Sequence, residues 1–339
     1  MSHMANPLAT VEQIYKYKSS LSALPPDLQD AVFYQVQLLT QAAGLLLRLP
    51  QSVTAQANVI LARALVGAAA ATTAANESNS SLLLSQHEPS NLSAAALFLT
   101  AKLGAHPAPP RDLCNVYAYL TSPSSPLFTP NTPSSDDDDG AQQKQQDPSS
   151  YYLSETAYTT QHDRILAAES RILALLSFDT HVALPHPLAV TYLQALDFLS
   201  LPRAAVARRV VEYLNTALLS PQCLYLTHQP HQLAVAAIYN SAKDLGAKMP
   251  ECAWWEVFDV DREDLGFLVV GMRSLEGWVR KQQAENHGDF DPARLITKSL
   301  IINQMRKRGL PSNGSSGKEL DEEDAMMQSM DEMAARIDA

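Results

Sequence analysis

A chain of 339 residues has room for two domains with cores of their own, and a hydrophobic content of 46% places it among globular rather than disordered proteins. A net charge of -11 argues against broad binding to phosphate backbones. Cys114, Cys223 and Cys252 form an odd set without metal-ligand spacing, which speaks against a disulfide framework and fits a reducing compartment.

The opening MSHM reads as a cloning scar, and residues 1–30 as an N-terminal extension without the pattern of a secretory leader. The first strong helical signal is the stepping of Val32, Val36, Leu39, Ala43 and Leu46 by three and four residues, one buried helix face that runs up to about Leu49. Pro50 lacks an amide donor and clashes with a preceding turn, so this helix ends before it, while the same residue suits the start of a new one. Val53, Ala57, Ile60 and Ala64 restart the pattern. Residues 41–65 are therefore two packed helices and not a membrane span. Arg48, Gln51, Gln56, Asn58 and Arg63 would be costly in a bilayer, and the apolar run is too short.

Helical periodicity breaks at 69–81 and again at 121–150. The second stretch is rich in Pro, Ser, Asp and Gln, cannot bury enough apolar surface to order itself, and reads as a disordered insert. Its Ser-Pro and Thr-Pro steps at Ser122, Ser125, Thr129 and Thr132 permit phosphorylation. Asp136 to Asp139 read as a solvated charge run, because calcium-loop spacing is missing. Residues 284–339 read as a flexible tail. It carries the basic cluster Arg306, Lys307 and Arg308, a short signal of the nuclear-import kind, and then Met326, Met330, Met333 and Ile337 at the spacing of an amphipathic helix. Hairpin signals are scarce, so the fold class is all-α.

An internal repeat is the most informative pattern. PSNLSAAALFLTAK (Pro89 to Lys102) and PHQLAVAAIYNSAK (Pro230 to Lys243) align without a gap, and PQSVTAQANVI with PRAAVARRVVE is a weaker echo. The spacing is that of whole domains rather than of a short-period solenoid. Small residues at Ala94, Ala95, Ala96, Ala236 and Ala237 would let neighbouring helices approach closely, which puts this helix at the centre of each domain.

With two similar helical domains, the chain resembles the cyclin family, whose members carry two boxes of about five helices each. QLLTQAAGLLLRL, PQSVTAQANVILARAL, NLSAAALFLTAKL, RDLCNVYAYL and HDRILAAESRILALLSFDTHV are similar to the helices of a first box, 31–183 with the insert inside it. HPLAVTYLQALDF, PRAAVARRVVEYLNTALL, PHQLAVAAIYNSAKDLG, AWWEVFDV and REDLGFLVVGMRSLEGWVRK match a second box, 184–283. The run around Pro50, RDLCNVY and PHP-AVTYLQAL resemble the L type within the family, whereas the WWE stretch of Trp254, Trp255 and Glu256 is shared with types T and K.

The resemblance implies a non-catalytic subunit that binds and activates a nuclear cyclin-dependent kinase of the PITSLRE class, in pre-mRNA splicing and transcription and in company with splicing factors. It implies no cofactor, no metal, no membrane and no direct DNA binding. Two kinase-binding residues are carried over: Lys102 at the end of the third helix and Glu169 in ILAAESRIL of the fifth. On spacing alone they would be a helix-terminal cation and an exposed helix acid. Many cyclins follow that lysine with a hydrophobic residue and two acids, whereas here Leu103, Gly104 and Ala105 follow, and the arginine-serine tail of animal L types is missing. Lys243, the counterpart in the second box, reads as a packing or solvent residue. His228 and His231 lack further ligands nearby and read as a loop before a helix. No phosphate loop, kinase motif or nucleophile elbow occurs. The alternatives are an elongation cyclin of type T or K, and a general transcription factor of the same fold bridging DNA and proteins, which the acidic balance disfavours.

Overall fold

The computed structural model describes residues 4–19, 24–71, 83–122, 125, 151–198, 204–285 and 295–308. Most of the insert, the stretch 72–82 and the tail beyond 308 with its methionine-bearing segment lie outside them.

The described residues form helices and no strand: two tandem helical boxes, as the repeat implied. A short helix α1 (Val11–Lys18) precedes the first box, which holds α2 (Pro26–Leu46), α3 (Gln51–Ala71), a single turn α4 (Leu83–Gln86), α5 (Pro89–Leu103), α6 (Pro110–Leu120) and α7 (Glu155–Leu175). The second box holds α8 (Pro185–Ala195), α9 (Ala204–Leu218), the turn α10 (Leu224–Thr227), α11 (Pro230–Asp244), a 3-10 helix Trp254–Phe258 and α12 (Arg262–Glu285). Last comes α13 (Lys298–Lys307). The stretch AWWEVFDV, expected as a full helix, is only this 3-10 turn, stopped by Asp259 in the left-handed region at φ 57°.

Proline sets most of the starts. Pro26, Pro89, Pro110, Pro185 and Pro230 each open their helix, where a missing amide costs nothing and the fixed φ is already helical. Pro50 acts just ahead of α3, its carbonyl receiving the amides of Val53 and Thr54. The preceding helix stops at Leu46, short of the expected Leu49, because Arg48 turns left-handed at φ 54° and the Leu49 amide reaches back to the Gly44 carbonyl. Gly44 lets this corner close: a methyl there would lie 2.8 Å from Thr54 Cγ2. By length and composition α3 is apolar enough to cross a membrane, but 67% of the window Gln51–Ala69 is buried inside the fold.

Each box is built around one helix. α5 packs against α2, α3, α6 and α7, and α11 against α8, α9, α12 and the 3-10 turn. Ala94, Ala95, Ala96, Ala234, Ala236 and Ala237 are fully buried, as a helix enclosed on all sides requires. A buried hydroxyl thread, Thr40 to Ser93 at 2.7 Å and Ser93 to Tyr117 at 2.6 Å, fixes the rotation of α2, α5 and α6 about one another.

The boxes are joined by polar contacts as well as packing. Asn215 Oδ1 receives the Gln51 side-chain amide at 2.9 Å and lies 3.0 Å from His186 Nε2. His186 Nε2 therefore carries the proton, which leaves the buried Nδ1 without a partner. The N-terminal segment is a second tie. Asn6, buried, donates to the Ala183 carbonyl at 2.8 Å and accepts the Ala183 amide at 2.7 Å, while its own amide and carbonyl bond the Gln229 side chain.

The N-terminal and C-terminal segments depart from the expected extension and flexible tail. Thr10 and Gln13 form a capping box that starts α1, which lies on α3. Residues 295–308 pack on the first box, with Ile296, Ile301 and Met305 buried.

Two outcomes follow from this packing. Gly44→Ala should lower the unfolding free energy by about 1–3 kcal/mol through overpacking against Thr54, read from urea melts. Burial holds His186 below its ordinary value of 6.5, so the unfolded chain binds its proton first and stability falls as pH drops below about 6.5. His186→Gln keeps a donor for Asn215 without titrating, and should shrink that loss between pH 7 and 5. His87 and His228, also lowered by burial, leave a remainder.

Candidate functional site

Lys102 sits in the last turn of α5, where a cation is favoured by the helix dipole. Glu169 lies on α7 beside the buried stripe of Ile165, Ala168 and Ile172, and only 4% of it is exposed. A carboxylate so buried is costly unless a charge faces it. The Lys102 ammonium meets Glu169 Oε1 as an ion pair, with angles that fall short of a hydrogen bond. Packing of α5 on α7 thus brings together the two residues picked out in the sequence. Glu169 is, however, not the exposed helix acid that its spacing alone suggests.

The two partners differ in access. The Lys102 side chain keeps 43% of its surface in solvent and lies 5.1 Å over the Phe98 ring, so the charge is presented at a rim while its counter-ion is held beneath. Next to Lys102, Leu103 is 60% exposed. One turn before Glu169, Leu166 is also exposed. Leu49 and Val53 of the Pro50 corner pack on Ala101, and Leu45 and Leu46 are exposed on that same corner. The turn that ends α7 holds Ser177 and Phe178 both left-handed, at φ 50° and 63°. Phe178 is 73% exposed. A bulky residue in that region is strained.

The sequence did not single out Leu166 or Phe178, and Leu103 stood out only as a departure. The available signal was weak: large apolar residues flanking the Lys and Glu, with no local sign that Phe178 would leave the helix left-handed.

Other candidates resolve differently. Lys243 is exposed and makes no ion pair among the described residues. Its neighbour Asp244 instead gathers Arg209 at 3.3 Å, the Tyr213 hydroxyl at 2.6 Å and Arg273. His228 stacks on Phe267 with ring centroids 5.4 Å apart, and its Nδ1 lies 2.8 Å from the Thr227 hydroxyl. No cluster of three or more His, Cys, Asp or Glu suited to a metal occurs among the described residues. Asp136 to Asp139 lie outside them.

No family model matches the chain. In sequence it is similar to Cyclin-L1 of Danio rerio, 23% identical over 276 residues, which is 81% of this chain and 47% of the relative. A cyclin-L1-like protein of Schizosaccharomyces pombe is 28% identical over 51% of this chain and 60% of its own length. Cyclin-L2 of Homo sapiens is 26% identical over 74% and 40%. The chain spans about half the length of the curated relatives it matches. Among solved structures it is similar to a chain of the yeast RNA polymerase II CTD kinase complex, with a TM-score of 0.58, 13% identity and coverage of 91% and 86%. It is also similar to a chain of the CAK complex of Chaetomium thermophilum, with a TM-score of 0.54, 14% identity and coverage of 92% and 93%. The fold is the cyclin fold, and the sequence is similar to cyclins of the L type.

Because Glu169 is nearly buried, removing its counter-ion should be worse than removing both charges. Lys102→Met alone should lower the melting temperature more than the pair Lys102→Met with Glu169→Gln, a comparison that calorimetry makes directly.

Proposed function

We propose that the chain is the activating regulatory subunit of a nuclear cyclin-dependent kinase of the PITSLRE class, acting in pre-mRNA splicing and transcription. The observation that carries this reading is the rim of the first box: an exposed lysine over a buried glutamate, with the exposed Leu103 next to the lysine, the exposed Leu166 one turn before the glutamate, and Phe178 exposed in the turn that ends α7. Lys102 is a donor and Glu169 an acceptor, the pair needed to hold backbone groups at the end of a partner helix by charge-assisted hydrogen bonds. Leu103 and Phe178 would bury against the helix's apolar face.

The kinase supplies all the chemistry. Its regulatory helix has an inward position, in which a helix glutamate pairs with the strand lysine that aligns ATP phosphates, and an outward one. A surface that binds only the inward position enriches it in proportion to the difference in affinity, and activation is that shift of population. The likeness to cyclins L supports the PITSLRE class over the elongation kinases of types T and K; splicing factors are the expected company.

The decisive experiment recovers partners of the tagged chain from nuclear extract and then measures the affinity and activity of the purified kinase. A PITSLRE-type kinase should be recovered. Glu169→Gln and Phe178→Ala should each weaken the complex about tenfold or more, the scale of one charge-assisted bond or one buried aromatic, with the melting temperature little changed for Phe178→Ala. Recovery of an elongation kinase would move the assignment to types T and K. DNA-bound initiation factors without a kinase, or unchanged affinity in both variants, would refute the reading.

A further inference from the structure

A polar stripe runs through the contact between the two boxes. On α3, Gln51, Ala55 and Asn58 follow one another at four and three residues and so share one face. On α2, Gln37 and Gln41 lie one turn apart on the face that meets it: the Gln37 side-chain amide donates to the Asn58 carbonyl at 3.0 Å, and Gln41 Oε1 receives the Gln51 amide at 3.3 Å. The second box adds Asn215 of α9, whose Oδ1 receives the Gln51 amide at 2.9 Å, and His186 of α8, whose Nε2 lies 3.0 Å from that oxygen. The stripe is closed at its inner end, where Gln37 and Asn58 are 0% exposed. At its outer end Gln41, Gln51, His186 and Asn215 are half-buried. Direct bonds leave much of it unmatched. Gln37 Oε1, Gln41 Nε2, Asn58 Oδ1 and Nδ2, and His186 Nδ1 are five buried atoms that meet no protein partner among the described residues. Native interiors rarely leave buried polar atoms unpaired, and a run of them along one line calls for a shared partner.

We propose that the seam between the boxes is a binding site for internal water, a file that enters beside Gln51 and Asn215 and ends at Asn58. A buried water makes about three hydrogen bonds, so the unmatched atoms call for about two molecules. The mixture of groups selects this ligand. Gln41 Nε2 and Asn58 Nδ2 donate, while Gln37 Oε1, Asn58 Oδ1 and the unprotonated His186 Nδ1 accept. A cation would face the donors and an anion the acceptors, whereas water serves both. The enclosed inner end admits nothing much larger, and Ala55, with a single methyl between Gln51 and Asn58, keeps the stripe unobstructed. A bridging water is nearly as favourable in enthalpy as a direct hydrogen bond, so the two boxes are held together here without having to fit each other atom for atom. The site lies behind the Pro50 corner and does not depend on the kinase reading.

The test uses the full chain, deuterated and labelled with nitrogen-15, and water itself as the probe. The side-chain amide protons of Asn58 and Gln41, assigned by their loss in Asn58→Ser and Gln41→Leu, should show cross peaks to water of opposite sign in NOESY and ROESY spectra, the signature of water held in place. In Gln41→Leu, which removes a donor midway along the file, oxygen-17 relaxation dispersion should count about one long-lived water fewer than in the parent. A crystal structure of the parent should place waters against at least three of the five atoms. Should Gln41→Leu fail to fold, the Asn58 cross peaks and the crystal structure of the parent decide by themselves. Absence of the Asn58 cross peaks, cross peaks of one sign in both spectra, or an unchanged count of waters in a folded Gln41→Leu would overturn the proposal. So would a crystal structure in which the amides of Gln37, Gln41 and Asn58 turn to bond one another directly.

Discussion

One helix enclosed by four neighbours is the constraint on which the rest of each box depends. Such a helix has no solvent face, and its neighbours can close on it only if its side chains are short, which is why α5 and α11 carry alanine at the contacts. Phe33, Leu39, Ile60 and Ile165 of the surrounding helices, together with Leu92, Leu97 and Leu99 of α5 itself, fill the space that the alanines leave. A stack of small side chains specifies rotation weakly, so the hydroxyl thread through Ser93 supplies what alanine cannot. The same enclosure sets the site. A central helix reaches solvent only at its ends, and the end of α5 delivers Lys102 to the surface beside α7, over Glu169.

The two boxes show how one scaffold is finished in two ways. In the first, the end of the central helix stays open: an ion pair with one exposed partner, followed at once by the exposed Leu103. In the second, the same end is closed by Asp244, which satisfies Arg209, Tyr213 and Arg273 within the box. Lys243 is left in solvent. The repeat is therefore a repeat of packing, and the difference between the copies lies one residue past the aligned segment, at Leu103 against Asp244.

Much of the architecture could be read from the chain because it is written in local chemistry. Proline at five helix starts, alanine in two central helices and a three-to-four apolar step are properties of adjacent residues. The features that were missed depend on distant ones. Nothing near Glu169 says that it is buried, since that follows from where α5 lies. Residues 295–308 look like polar tail because only four of their side chains are buried, one of them the polar Gln304, and the acceptors for their amides, Gln35 and Glu88, are far back in the chain. The left-handed Phe178 has no turn residue in the sequence to announce it, and the 3-10 turn at Trp254 is announced only by Asp259, which follows it. Lys102 and Glu169 were picked out only through resemblance, as two kinase-binding residues; their ion pair with each other comes from the structure, and spacing alone favoured a plain helix-terminal cation.

The Asn6 tie has a consequence for the order in which the protein is made. Its hydrogen-bond partners, Ala183 and Gln229, leave the ribosome long after it does, and the Leu226 carbonyl that receives the Ala9 amide follows the same schedule. Asn6 and Ala9 must therefore wait, unsatisfied, until nearly half of the second box has emerged. Closing a loop of that length carries an entropic cost that no local contact offsets beforehand. The first box can collapse during translation, but the strap across both boxes can be fastened only once the start of α11 is made, so a segment synthesised ahead of the first box reaches its place after it.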